Sequence, residues 1–157
     1  MVQKIVKNAV LKMKNHNCRL AISESCTGGL VSKLVTDVPG SSKIFMGSIV
    51  AYNSLIKNKL LNIDCGLIAD KGSVSGNIAS AMAVNVRKIF DSEIGAAVTG
   101  VSGPSSDKEG NSVGLAYVAV STSNDTVVQK IYKPKLSRAK HREYVAIELF
   151  RLIENSI

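Results

Sequence analysis

The run Ile94-Gly95-Ala96-Ala97-Val98-Thr99 carries no charge and is bounded by turn signals on both sides. That pattern marks a strand buried at the centre of a sheet, which needs cover on both faces. The flanking sequence supplies the cover. Val2, Ile5, Val6, Ala9, Val10 and Met13 recur at helical spacing, so residues 2–14 read as an amphipathic helix. Asn15-His16-Asn17 breaks it, and Cys18 to Ile22 reads as a short strand leading into a loop, Ser23 to Thr27. Gly28-Gly29 opens a helix with Leu30, Val31, Leu34 and Val35 inward. After the turn Val38 to Ser41, Ile44 to Tyr52 reads as a strand. Asn53 caps a helix through Leu61, and Ser75 caps another with Ile78, Met82, Val86 and Ile89 along one stripe.

Residues 100–112 form a Gly/Ser/Pro-rich loop. Val113 to Ser121 and Thr126 to Tyr132 then pair around Ser123-Asn124-Asp125, and Ser137 caps a closing helix with Val145, Leu149, Leu152 and Ile153 inward. Strands alternate with covering helices throughout. The expected architecture is a single α/β domain over residues 1–157, a three-layer α/β/α sandwich whose late hairpin makes the sheet mixed, mostly parallel.

Composition narrows the function. The 157 residues are 45% hydrophobic and 20% charged, as in an ordinary globular domain. No apolar run approaches the roughly eighteen residues of a membrane span, and the apolar and lysine residues near the amino terminus are interleaved, as in a helix rather than a signal peptide. Cys18, Cys26 and Cys65 are odd in number and form no CxxC pair, against a disulfide framework or a structural zinc site. With only His16 and His141 besides, no metal and no cofactor is expected. A reducing cytoplasm fits best. The net charge is +8, and Lys130, Lys133, Lys135, Arg138, Lys140 and Arg142 fall within thirteen residues free of acid. Such a stretch is a solvated face, a site for a phosphate-bearing small molecule, or a nucleic-acid contact.

Three segments are placed to carry chemistry. In Ser23-Glu24-Ser25-Cys26-Thr27-Gly28-Gly29, a serine or cysteine stands just ahead of a helix start, where backbone N–H groups can hold an oxyanion. The plainer reading is a capped helix after a tight turn. A serine nucleophile needs a base. His16 ends a helix and His141 lies in the basic stretch, which leaves a lysine or a carboxylate. Lys57 is a candidate, in the first turns of a helix behind a strand ending at Tyr52, whose hydroxyl can hydrogen-bond the amine or relay a proton. Burial and the positive end of the helix would both lower the amine's pKa. Thr99-Gly100-Val101-Ser102-Gly103-Pro104 leaves the buried strand through two glycines and can present backbone N–H groups to an anion or carbonyl. In Ser137-Arg138-Ala139-Lys140-His141-Arg142, cations gather where the helix dipole is already positive, and Arg138, His141 and Arg142 share a face, as a phosphate site would use.

Taken together these segments resemble the CinA carboxy-terminal domain family in its stand-alone form. The block Ala21-Ile22-Ser23-Glu24-Ser25-Cys26-Thr27-Gly28-Gly29-Leu30 is similar to that family's most specific motif. Pro39-Gly40-Ser41-Ser42, Tyr52 with Lys57, Gly72-Ser73-Val74-Ser75, Thr99 to Pro104, Val113-Gly114 and the Arg138/Arg142 pair follow in order. The resemblance covers nearly the whole chain. It implies hydrolysis of the carboxamide of nicotinamide mononucleotide to nicotinic acid mononucleotide and ammonia, a step of pyridine nucleotide salvage, without metal. It assigns Ser25 as nucleophile, Lys57 as base and Tyr52 in support. It implies substrate binding by Cys26, Thr27, Gly28, Gly29, Thr99, Gly100, Gly103, Arg138 and Arg142, and a homodimer. The chain departs from the family pattern at Ser105-Ser106-Asp107 after Gly-Pro, at Asn111-Ser112 before Val-Gly, and between Tyr52 and Lys57, which bears on loop shape and substrate range.

Rival readings stand beside this one. Cys26 is a possible cysteine nucleophile with no histidine obviously placed beside it. The loops can instead serve a nucleotide-binding module without catalysis, or act on a different amide. Nucleic-acid binding through residues 130–142 is disfavoured, because aromatics are 4% and there is no tryptophan to stack bases.

Overall fold

The computed structural model describes residues 2–157. Its strands are β1 (Leu20–Glu24), β2 (Phe45–Val50), β3 (Ile94–Gly100), β4 (Leu115–Ser121) and β5 (Thr126–Tyr132), in one sheet of order β2-β1-β3-β4-β5. β1 pairs in parallel with both β2 and β3, while β3–β4 and β4–β5 are antiparallel. All strands except β4 therefore run the same way, the mixed, mostly parallel sheet expected.

Each face carries a layer of helices. On one, α1 (Val2–Asn15), α2 (Leu30–Thr36) and α6 (Arg138–Asn155) bury Val10, Met13, Val31, Leu149 and Phe150 against Ile22, Ile94, Val98 and Val118. On the other, α3 (Ser54–Leu61), α4 (Cys65–Lys71) and α5 (Gly76–Ile89) bury Leu61, Ile78, Met82 and Val86 against Ala21, Ala97 and Ala119. The side chains of β3 alternate between these layers, as strand geometry requires. The second face is built of small residues, and α5 sits almost on the sheet backbone. A Cβ at Gly95 would collide with the Ala83 carbonyl oxygen and stand 2.6 Å from Arg87 Cβ.

The expected caps form: Asn53 accepts from the Leu55 amide, Ser75 from Ile78 and Ser137 from Lys140. Several boundaries differ from the sequence expectation. β1 begins at Leu20 and takes in Ser23 and Glu24, expected in a loop, because neighbours on both sides pair with it to its end. β2 stops at Val50, so Tyr52 lies beyond the strand. α4 was not expected; it is announced only by the Asp64 cap and buries no side chain, so it leaves no apolar stripe to read. Ile89, placed on the inner stripe of α5, is 44% exposed.

Candidate active site

From β1 the chain crosses to β2 on one side and later returns to β3 on the other. The carboxyl ends of β1 and β3 thus flank the point where the winding reverses, where ligands of open α/β sheets gather. A cavity of about 600 Å³ opens there. Its wall includes Ser25, Cys26, Lys57, Ser73, Ser102 and Arg138, with the segment Ser105 to Glu109 on its rim.

Ser25 follows the last residue of β1, its amide donating to the Val98 carbonyl at 3.0 Å, which ties the turn to β3. The next turn is closed by Gly28, whose N–H bonds the Ser25 carbonyl, and by Gly29, at φ +93° a conformation that favours glycine. The amino terminus of α2 is occupied from within. Glu24, fully buried, accepts from the amides of Gly29 (3.0 Å), Val31 (3.1 Å) and Ser32 (2.8 Å) and from the Ser32 hydroxyl (2.6 Å). A carboxylate there satisfies the orphan N–H groups and meets the positive end of the helix. The expectation that this helix start would cradle an oxyanion is corrected accordingly. Thr27, Gly28 and Gly29 do not line the cavity; of the turn after Ser25 only Cys26 does, and no hydrogen bond engages its amide.

Arg142 is likewise displaced from the phosphate role. Its Nε donates to the Cys26 carbonyl at 3.1 Å and its Nη2 to that of Thr27, so it clamps the turn from behind, outside the cavity wall. Arg138 does line the cavity. Its Nη1 donates to the Gly103 carbonyl at 2.6 Å and its Nη2 to the Tyr52 hydroxyl at 3.0 Å, which leaves guanidinium donors toward the opening. Tyr52, 60% exposed, is thus a partner of Arg138, whereas the sequence reading gave it to the lysine amine. The third member of the shared face, His141, is buried: its ring bonds Ser102 Oγ and the Gly114 carbonyl. One face of helix α6 therefore divides among cavity, core and turn. Of the other basic residues nearby, Lys133 rests on the ring of Tyr144, 5.1 Å from its centroid.

Lys57 is only 2% exposed. Its Nζ donates to Ser73 Oγ at 2.7 Å and lies 3.4 Å from the Ser73 carbonyl. Burial lowers its pKa below the usual lysine range, while Cys26, Glu109 and Asp107 push it back up. Ser73 is anchored at every polar atom. Its amide donates to the Glu109 carboxylate at 2.8 Å, its carbonyl accepts from Thr99 Oγ1 at 2.8 Å, and its hydroxyl also accepts from Ser54 at 3.1 Å. Thr99, fully buried, thus acts on the cavity through Ser73, whereas Gly100 and Gly103 lie in the wall. Ser73 and Glu24 lie inside recognisable motifs, but nothing in the residue types around them assigns either a role. Glu109 and the Ser102–His141 contact had no signal in residue spacing, since they join segments far apart along the chain.

Burial pushes the Cys26 thiol up to about 11. At neutral pH it is protonated, which removes the thiolate that a cysteine mechanism requires. Among the described residues no three His, Cys, Asp or Glu side chains gather as a metal site, and no helix is long and apolar enough to cross a membrane.

A family model, the CinA C-terminal domain, matches residues 2–157. A CinA-like protein of Pseudothermotoga lettingae is 33% identical over 150 residues, covering 95% of this chain and 37% of that one. A CinA-like protein of Geotalea uraniireducens is 46% identical over 105 residues, covering 67% and 25%. The chain thus spans between a quarter and two fifths of the length of these relatives. Among solved structures, a competence or damage-inducible protein from Enterobacter asburiae superposes with TM-score 0.95 at 20% identity, covering 99% of this chain and 98% of that one. The competence/damage inducible protein CihA from Agrobacterium tumefaciens does so with TM-score 0.92 at 23% identity, covering 97% and 93%. At these identities the superpositions speak for the fold.

Proposed function

The chain belongs to the CinA C-terminal domain family, and on that premise we propose that it hydrolyses the carboxamide of nicotinamide mononucleotide by a serine–lysine mechanism. The observation that carries the reading is Lys57, an amine buried in the wall that also holds Ser25, its pKa lowered by that burial and its donors directed to Ser73. A lysine so held keeps a lone pair for a proton, as a general base must.

In this mechanism the neutral Lys57 amine takes the Ser25 hydroxyl proton as Oγ bonds the amide carbon. The Cys26 amide, in the cavity wall beside Ser25, receives the tetrahedral oxyanion. As the C–N bond breaks, Lys57 returns the proton to the departing nitrogen and ammonia leaves. Water then attacks the Ser25 ester, giving up a proton through Lys57, and the carboxylic acid departs with the serine restored. Arg138, at the opening, is the cation for the substrate phosphate. The protonated Cys26 argues against the thiol route.

The acidic rim of Asp107 and Glu109 suits the positively charged pyridinium ring of this substrate. The deciding assay is ammonia release from nicotinamide mononucleotide by the purified chain, run beside Ser25→Ala without added metal. Release by wild type, with loss of at least about a hundredfold in the variant, is expected. Equal release by both would remove Ser25 as nucleophile. Tight binding without release would leave a nucleotide-binding module.

A further inference from the structure

His141 has no exposed surface, and both of its ring nitrogens are engaged. Nε2 lies 3.0 Å from the Gly114 carbonyl oxygen and Nδ1 lies 2.9 Å from Ser102 Oγ. A carbonyl oxygen only accepts, so the proton is on Nε2. Burial lowers the imidazole's pKa, so at neutral pH the ring carries that one proton and Nδ1 is a bare lone pair. The Ser102 hydroxyl must then donate to Nδ1. A hydroxyl has one proton and two lone pairs. With the proton turned into the core, Ser102 presents only acceptor character on its other side, and that side is the wall of the cavity holding Ser25 and Lys57. Cys26, a protonated thiol, lines the same wall, and the lone pairs of Ser102 remain for a ligand.

A carboxamide and its methyl ester differ at this point. The amide nitrogen carries two N–H donors, whereas the ester oxygen in the same place carries none. We propose that Ser102, its hydroxyl direction fixed by His141, is the acceptor for the N–H of the scissile carboxamide and selects amides over the corresponding esters. Ser102 is the binding residue and His141 its positioning residue. The inference rests on the amidohydrolase reading of the site and adds to it the group that recognises the leaving nitrogen.

The test compares nicotinamide mononucleotide with the methyl ester of nicotinic acid mononucleotide as substrates of wild type, Ser102→Ala and His141→Phe. In both variants the amide-to-ester ratio of kcat/KM is expected to fall about tenfold, chiefly through a higher KM for the amide. A merely structural role would depress both substrates alike and leave the ratio unmoved, and that outcome overturns the proposal. Nitrogen-15 spectra of wild-type His141 give a check independent of the variants' folding. A protonated Nε2 with bare Nδ1 is expected, and a proton on Nδ1 would equally overturn it. Absence of ammonia release by wild type is instead a failure of the functional reading. Equilibrium binding of the same two compounds to wild type then decides the acceptor, equal affinity counting against it.

Discussion

A lysine amine is a useful base only when it has shed its proton, and the surroundings of Lys57 pull in opposite directions. Burial lowers its pKa; the carboxylates of Glu109 and Asp107 raise it again. Activity that depends on the neutral amine should therefore rise with pH along an acid limb set by Lys57. Removing a negative charge that raises this pKa lowers it, so Glu109→Gln is expected to move the limb to lower pH, while the remaining amide oxygen still accepts from the Ser73 N–H. The check is the pH profile of kcat/KM for ammonia release. A limb that does not move, in a variant of normal activity, would mean that a group other than Lys57 titrates. The junctions of strand, loop and helix offered a serine or cysteine ahead of α2 and Lys57 as a candidate base; the choice of Ser25 with Lys57 came from the family resemblance. Tyr52 went to the wrong partner, since nothing in the spacing says that Arg138, 86 residues on, donates to its hydroxyl.

The turn from β1 into α2 shows how an element start can be mistaken for a ligand site. A Gly-Gly pair before an apolar stripe signals a helix amino terminus, and such ends attract anions. Here the anion is Glu24, drawn from the end of the preceding strand, with four donors on its two oxygens. Glu24→Gln puts an NH2 group among those N–H donors and removes the charge that meets the dipole. A loss of about 2–4 kcal/mol is expected, from hydrogen bonds to a buried charged group, read as a lower midpoint of urea unfolding. An unchanged midpoint would show that α2 does not depend on this carboxylate. Elements with an apolar stripe or a capping side chain to mark them, α1, α3, α5 and α6, were legible nearly to the residue. α4 was not, because it buries no side chain and leaves no periodicity.

At the scale of the whole molecule, the layer order follows from side-chain size on the two faces of the sheet. Branched residues such as Ile22, Ile94, Val98 and Val118 meet α1, α2 and α6, and the sequence shows these as a continuous apolar run at β3. The opposite face is Ala21, Ala97, Ala119 and Gly95, and smallness there has a consequence that a hydrophobicity pattern does not reveal: α5 lies close enough to exclude a methyl group. Strand order was illegible for the same kind of reason, since pairing of β1 with both β2 and β3 depends on which faces fit. The close approach makes Gly95 the position where core packing can be tested without touching the cavity, which lies beyond the other end of β3. Gly95 has an ordinary strand conformation, so backbone strain plays no part in a substitution. Gly95→Ala sets its new Cβ against the Ala83 carbonyl and the Arg87 side chain, both carried by α5, and neither neighbour is the free end of a flexible chain. The helix must lift from the sheet, at a cost of about 1–3 kcal/mol by the usual penalty of overpacking. Urea unfolding should show the loss as a lower midpoint with an unchanged slope. A stability equal to wild type would mean that α5 does not pack on the sheet at the distance described.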